Sequence, residues 1–322
     1  MRFVEASDDA LSRQLARDGI GIDFGAARAR VRSTEPALAA MLRTVYGAFP
    51  VDAPYGMFDV SVLLRPAPGL RARLWPQVQL FCDGVRELEP FPRDTPLPLL
   101  EWGINYALAS RLYCYLLLHA GVVERNGIAV VMPAMPGSGK STLTAALSLS
   151  GFRLLSDEFG VVRLEDAALL PMLRPVALKN QSIDLIANTF ADAIIGPRFP
   201  KTHKGTVAHL APLASHVQAR HEPALPGLVI FPRFEAAASV ELEPVSKGRA
   251  FARLAVNSFN YDALGPDAFE ALGALVHRSS CWVLHYGDLQ GAIAAIRDLV
   301  DERHERALVA DSTAVVPAEG ES

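Results

Sequence analysis

The chain has 322 residues, half of them apolar and a fifth charged, which is enough to close a sizeable core and leaves little room for extensive disorder; one large unit with a smaller partner is the expectation. A formal net charge of -4, with Lys and Arg spread along the chain, gives no general pull toward nucleic acid or an anionic membrane, so any phosphate site must be local. Cys82, Cys114 and Cys281 lack disulfide-framework or metal-ligand spacing, Met1-Arg2-Phe3-Val4-Glu5 leads into no secretory segment, and no run approaches the roughly 18 apolar residues of a membrane span; a cytoplasmic protein is expected.

Ile20, Ile22 and Phe24 alternate with small or polar residues, which is strand spacing. Thr34 is placed to cap a helix with Leu38, Met41, Leu42 and Val45 on one face, and Gly47 to end it. Residues 58–64 and 74–81 read as strands, and Asp83-Gly84 before Val85 as a hairpin turn. Pro90, Pro92, Pro96 and Pro98 form the clearest linker, because each removes a backbone donor and disfavours helix before it. A smaller α+β module is therefore expected over residues 1–95 and a catalytic unit over residues 96–306.

Beyond the linker, Ile104, Leu108, Leu112, Tyr115 and Leu118 lie at helical spacing and predict a largely buried helix over residues 101–118. A strand at 128–132, a glycine-rich loop, a helix at 142–149 stopped by Gly151 and an extended stretch at 153–155 make an α/β beginning. Strands at 161–164, 228–231, 240–243 and 281–286 and helices at 247–257, 266–277 and 288–304 would complete a mixed sheet covered by helices. Residues 307–322 are small, acidic and aperiodic, and are expected to form a flexible tail.

The loop Ala134-Met135-Pro136-Gly137-Ser138-Gly139-Lys140-Ser141 meets the phosphate-loop pattern G-x-x-x-x-G-K-[ST] except for Ala134 at its first position. Wrapping phosphates requires consecutive backbone N–H groups to turn toward one point, and Gly137 and Gly139 supply that freedom. Pro136, Gly137, Ser138, Gly139, Lys140, Ser141 and Thr142 are thus candidate ATP contacts: Lys140 for the outer phosphates, Ser141 for Mg2+, and the helix from Thr142 for its positive end. The plain alternative, a surface turn before a helix cap, fits the preceding strand and the Gly-Lys-Ser junction less well.

Asp157-Glu158 follows 17 positions after Lys140, at the end of an apolar stretch. If the second strand of this unit lies beside the first, its C-terminal end reaches the sheet edge that holds the loop, where Asp157 could bind Mg2+ or accept a hydroxyl proton.

Leu118-His119-Ala120-Gly121, Asn126-Gly127-Ile128-Ala129-Val130, the loop and Leu154-Leu155-Ser156-Asp157-Glu158 together resemble the catalytic core of HPr kinase/phosphorylase. Through Arg174-Pro175-Val176 and Lys201-Thr202-His203-Lys204-Gly205 the resemblance extends to its related group, HprK-related kinase A. It implies the phosphate-loop core shared by HPr kinases and phosphoenolpyruvate carboxykinases. It also implies transfer of the ATP γ-phosphoryl group, with Mg2+, to a serine hydroxyl of a peptide or protein. His119 and Asp157 occupy the family's histidine and base positions, so the implied catalytic set is Asp157, His119 and Lys140, with His119 orienting Asp157 or touching phosphate, and the implied metal set is Ser141, Asp157 and Glu158.

Two departures from the family's pattern matter. Glu158 stands where HPr kinases carry a second aspartate, and Leu178-Lys179-Asn180-Gln181 replaces their Glu-Ile-Arg-Gly run with its metal-binding glutamate, which leaves the second metal ligand open. Lys179 could instead meet phosphate or nucleotide, and Lys201, His203 and Lys204 could rim an acceptor site. Related kinases belong to peptide-modifying systems with a PqqD-like chaperone, so a peptide acceptor, with such a chaperone docking on the amino-terminal module, is the implied partnership. A homo-oligomer is compatible with the resemblance, but its symmetry does not follow from a shared core. A small-molecule hydroxyl kinase and a nucleotide-gated switch remain the rival readings.

Overall fold

The computed structural model describes residues 1–70, 74–86, 88–133 and 137–314, without the side chains of Lys201 and of residues 310–314. It is a mixed α/β structure with three sheets among the described residues. No helix in them is long and apolar enough to cross a membrane.

The first sheet contains β1 (Ile20–Asp23), β2 (Arg28–Ser33), β3 (Val60–Pro66), β4 (Gln77–Cys82) and β5 (Phe91–Pro92), in that spatial order. Helix α1 (Asp8–Arg17) starts on Ser7, whose hydroxyl accepts from the Ala10 amide at 3.2 Å. Helix α2 (Ala37–Val45) is the crossover between the parallel pair β2 and β3, and it packs against α1. Thr34 does not cap it: the Thr34 amide donates to Leu64 O at 3.1 Å, continuing the β2–β3 ladder, and the chain enters the helix through Pro36 with no side-chain cap. Asp83 and Gly84 have φ of +49° and +86°, and Cys82 bridges to Val85 across them, as a tight two-residue turn requires.

Helix α3 (Pro96–Ala109) packs on β3 and β4, with Gly103 so near the Leu80 methyls that a Cβ would overlap them. The predicted helix over 101–118 is therefore corrected: it ends at Ala109, and strand β6 (Tyr115–Arg125) begins three residues before its predicted end. An apolar run buried on all sides has no polar face to reveal its period, so the choice is made by partners. The Asn260 side chain accepts from the Leu117 amide at 2.9 Å and donates to Leu112 O and Tyr115 O at 3.1 and 2.8 Å, holding the chain extended.

The large sheet then takes shape in chain order. Strand β7 (Ile128–Pro133) returns antiparallel to β6 over Asn126-Gly127, both at positive φ. Helix α4 (Lys140–Leu149), β8 (Arg153–Ser156), β9 (Phe159–Arg163) and β10 (Leu169–Leu170) follow. The smaller third sheet holds β11 (Val176–Lys179), β12 (Phe199–Thr202) and β13 (Gly205–Leu210), with α5 (Gln181–Thr189) between the first two and α6 (Ala214–Gln218) after the last. The chain then forms β14 (Leu225–Phe234), β15 (Glu241–Pro244), α7 (Lys247–Val256), α8 (Tyr261–Leu264), α9 (Pro266–Arg278), β16 (Ser280–Tyr286) and α10 (Leu289–Ala314).

The order of the large sheet is β10-β9-β6-β7-β14-β16-β15, with β8 also paired to β6. β7, β14 and β16 are mutually parallel and the other pairings antiparallel. The expectation that the strand after the loop helix lies beside β7 is corrected: β6 stands between them. Because β6 is antiparallel to both, β7 and β8 run the same way and their C-terminal ends still share one sheet edge. Residues 307–314, assigned from sequence to the tail, continue α10, and residues 315–322 lie outside the described residues. One continuous apolar core reaches from Phe3 and Val31 through Leu108 to Leu143 and Ile296, so the five-stranded unit is packed onto the larger sheet.

Candidate active site

Strand β7 delivers the chain to the sheet edge and α4 carries it back, which leaves the glycine turn exposed between two buried elements. Gly137 and Gly139 both adopt positive φ, +90° and +86°, at the positions where the sequence pattern demands backbone freedom. Pro136, with Ala134 and Met135, lies outside the described residues. The far side of the turn is clamped by β14 and β16: the Phe234 amide donates to Ser138 O at 3.2 Å and the Tyr286 hydroxyl donates to Gly139 O at 3.5 Å. A Cβ on Gly139 would overlap that hydroxyl and stand 3.1 Å from Phe234 Cβ, whereas one on Gly137 meets nothing within 4 Å. Gly139→Ala is thus expected to weaken ADP binding at least about tenfold, and Gly137→Ala, which adds strain without a clash, distinctly less. Calorimetric titration of both variants checks this, and equal affinities would show that the clamp does not shape the loop.

Lys140, the first residue of α4, is 9% exposed and points across the edge to Asp157, which is 7% exposed. Its Nζ donates to the Asp157 carbonyl and stands 3.1 Å from Asp157 Oδ1. Asp157 is held there by the β8–β9 turn, in which the Phe159 amide donates to the Ser156 hydroxyl at 3.1 Å. A buried pair of this kind costs desolvation on both sides, and it keeps the lysine in the one place where an outer phosphate could compete for it. Thr142 is half-buried in the first turn of α4.

His119, on β6, turns to Glu158 rather than to Asp157: its Nε2 is 3.6 Å from Glu158 Oε1. Its ring leans on Phe259 at 5.5 Å, and its amide donates to Asn257 O at 2.7 Å. Burial holds the His119 imidazole below its ordinary value against the opposing pull of the Glu158 carboxylate, with the Lys140 charge adding to the depression. It is a neutral group around pH 7.

Ser141, Asp157, Glu158 and Lys179 open onto a cavity of about 320 Å³. A serine hydroxyl and two carboxylates are hard oxygen donors suited to Mg2+, which is commonly held by one or two carboxylates with phosphate and water completing its shell. Among the described residues, no group of three or more His, Cys, Asp and Glu side chains is gathered as a cage for a metal by itself.

The opposite wall of the cavity is aromatic and comes from places the sequence offered no reason to connect. Trp102 on α3 packs against Phe91 on β5 at 5.4 Å and against His203 at 4.7 Å, and Lys204 Nζ sits 5.1 Å from the Trp102 ring centre. His203 and Lys204 lie in the β12–β13 turn. Burial and the neighbouring Lys179 charge push the Lys204 ammonium below its ordinary value, with Glu158 opposing. The structure therefore brings Lys179, His203 and Lys204 to the cavity that Asp157 lines, while the Lys201 side chain lies outside the described residues. The amino-terminal unit, in which the sequence suggests no chemistry, contributes Phe91 to this wall.

Arg174, Glu101 and His209 form the cavity floor, and none had been given a role from sequence. Arg174 Nη2 donates to Glu101 Oε2 at 2.7 Å, and the Tyr46 hydroxyl donates to Glu101 Oε1 at 2.7 Å. His209 is fully buried with neither ring nitrogen hydrogen-bonded, and burial pushes its pKa down from 6.5 to about 4. An unfolded-state imidazole takes its proton near 6.5, while the buried one stays neutral to about 4. Stability is thus expected to fall as pH drops from about 6.5 to about 4 and to level off below, by up to roughly 3 kcal/mol from this residue. Urea midpoints for wild type and His209→Leu across that window test it; parallel curves would exonerate His209.

No protein-family model matches the chain, and no curated protein is significantly similar to it.

Proposed function

We propose that this protein is an ATP-dependent kinase that transfers the γ-phosphoryl group to a hydroxyl, serine in particular, of a peptide or protein, on a phosphate-loop core of the HPr kinase/phosphoenolpyruvate carboxykinase kind. The observation that carries the reading is the meeting of Lys140 and Asp157 at 3.1 Å, beside a turn whose two glycines adopt positive φ at the start of a helix. A cation for the outer phosphates and a carboxylate for the acceptor proton are the two charges that phosphoryl transfer asks a protein to position.

Nucleotide phosphates would compete for Lys140 and release the Asp157 carboxylate toward the cavity. Asp157 then takes the proton from the acceptor hydroxyl as that oxygen attacks phosphorus; the new O–P bond forms as the bond to the bridging oxygen breaks, and ADP leaves with the charge. Ser141, Asp157 and Glu158 would hold Mg2+, which neutralises charge on the phosphate oxygens when bound. His119 acts through Glu158 as a positioning residue, and as a neutral imidazole it adds no competing positive charge. Lys179, Lys204 and His203, with Lys201 in the same hairpin, suit an acceptor that carries negative charge near its hydroxyl, and the Phe91–Trp102 wall suits an apolar neighbour. A PqqD-like chaperone delivering the peptide is part of this reading.

Intact-mass spectrometry of a candidate serine peptide incubated with Mg-ATP and the full chain tests it. A single phosphoryl adduct supports the proposal; ATP binding without any adduct, with the chaperone present, shifts the reading to a small-molecule hydroxyl or a nucleotide-gated switch.

A further inference from the structure

A second cavity flanks the loop across β7 from Asp157. It encloses about 480 Å³ between the end of β14 and α7, with Pro133 and Ser138 on the loop side and Phe231, Arg233, Arg253 and Asn257 opposite. It shares none of these residues with the Asp157 cavity.

Its charges are unusual for a chain of net charge -4. The Arg253 guanidinium lies over the Phe231 ring, 4.9 Å from its centre, and Arg233 and Arg249 stand close enough to act on its charge. Among the described residues none of these three guanidinium groups makes an ion pair or a side-chain hydrogen bond. Three clustered cations raise the local positive potential and so favour an anion there. A guanidinium with an aromatic ring on one face is also a stacking platform on the other.

The position of the cluster says which anion. The end of β14 is bonded to the glycine turn through Phe234 N and Ser138 O, and the Ser138 hydroxyl is buried without a hydrogen-bond partner. The Asn257 carbonyl, at the end of α7, is bonded to the His119 amide, so the cavity wall is tied to the catalytic strand as well. Ser138 lines this cavity and Lys140, two residues on, reaches Asp157, so the glycine turn adjoins both cavities.

We propose that the cleft between β14 and α7 receives the nucleoside end of the nucleotide, its base stacked on the open face of Arg253 and its inner phosphate facing Arg233. This rests on the nucleotide-binding reading above, and it places nucleotide and acceptor in separate cavities on the two flanks of β7. Asn257 is the side-chain amide among the described residues lining this cavity, and so the group suited to read a base edge.

The test is calorimetric titration of the full chain with Mg-ADP and with magnesium pyrophosphate, which has the phosphates and lacks the nucleoside. Arg253→Ala is expected to weaken ADP about tenfold or more and leave pyrophosphate unchanged, the size of a lost base stack. Arg253→Lys, which keeps charge and stem and lacks the planar face, should recover only a small part. Lys140→Ala should weaken both ligands. Unchanged ADP affinity in Arg253→Ala, alongside loss in Lys140→Ala, overturns the inference and leaves nucleotide binding standing. Equal weakening of ADP and pyrophosphate in Arg253→Ala overturns it too, since the arginine would then serve phosphate alone. A wild-type chain that binds neither ligand removes both readings together.

Discussion

Asp157→Asn is expected to abolish most phosphoryl transfer, by about 10²–10⁴-fold, while ADP affinity is retained. The substitution keeps the volume of the side chain and the backbone carbonyl that accepts from Lys140, so the loop and its lysine remain in place. What is lost is the charged partner that Lys140 has among the described residues and, in the proposed reaction, the base for the acceptor hydroxyl. The two measurements separate: mass spectrometry reads the adduct, and nucleotide titration reads the pocket. Before nucleotide arrives the variant should also be less stable than wild type, because a buried ammonium is left with neutral acceptors in place of a carboxylate, and saturating ADP should remove much of that deficit. Transfer at the wild-type rate would sink Asp157 as the base, and joint loss of transfer and ADP binding would make it a scaffold for the loop.

Arg174→Met should be the most damaging substitution away from the chemistry, at about 3–5 kcal/mol. Glu101 is 2% exposed, and removing the guanidinium leaves its carboxylate buried with, among the described residues, the Tyr46 hydroxyl as its remaining side-chain donor. Burial first and the Glu101 charge second raise the Tyr46 phenol well above its ordinary value, so it remains a donor and cannot take the charge itself. Glu101→Leu alone leaves the buried Arg174 guanidinium without its carboxylate, held by the neutral acceptors Asn105 Oδ1 and the residue 101 carbonyl. The double variant Arg174→Met/Glu101→Leu should recover most of the loss, since apolar groups of similar volume need no compensation. Urea denaturation of the three variants decides it: two single losses under about 1 kcal/mol would mean that water reaches the pair. The same experiment bears on function, because these two side chains form the floor of the cavity that Asp157 lines.

The sequence by itself determined the parts whose physics is local. The turn from β7 into α4 was legible because a buried strand, two glycines and Gly-Lys-Ser stand next to one another, and the later helices α7, α9 and α10 were legible from a half-polar period. The mixed α/β character follows from the same alternation of elements. Only the tertiary structure decided what depends on partners. Residues 115–118 joined a strand because both of their faces are covered and Asn260, far along the chain, holds their backbone extended. Strand β8 took β6 as its neighbour, and Asp157 reached the loop edge by direction rather than by adjacency to β7. His119 turned to Glu158, and Trp102, His203, Arg174 and Arg253 became walls of two cavities. Periodicity reports whether a residue is buried; which residue it is buried against depends on strand order and on long-range pairs such as Glu101 with Arg174, whose mutual attraction exists only once the chain has folded.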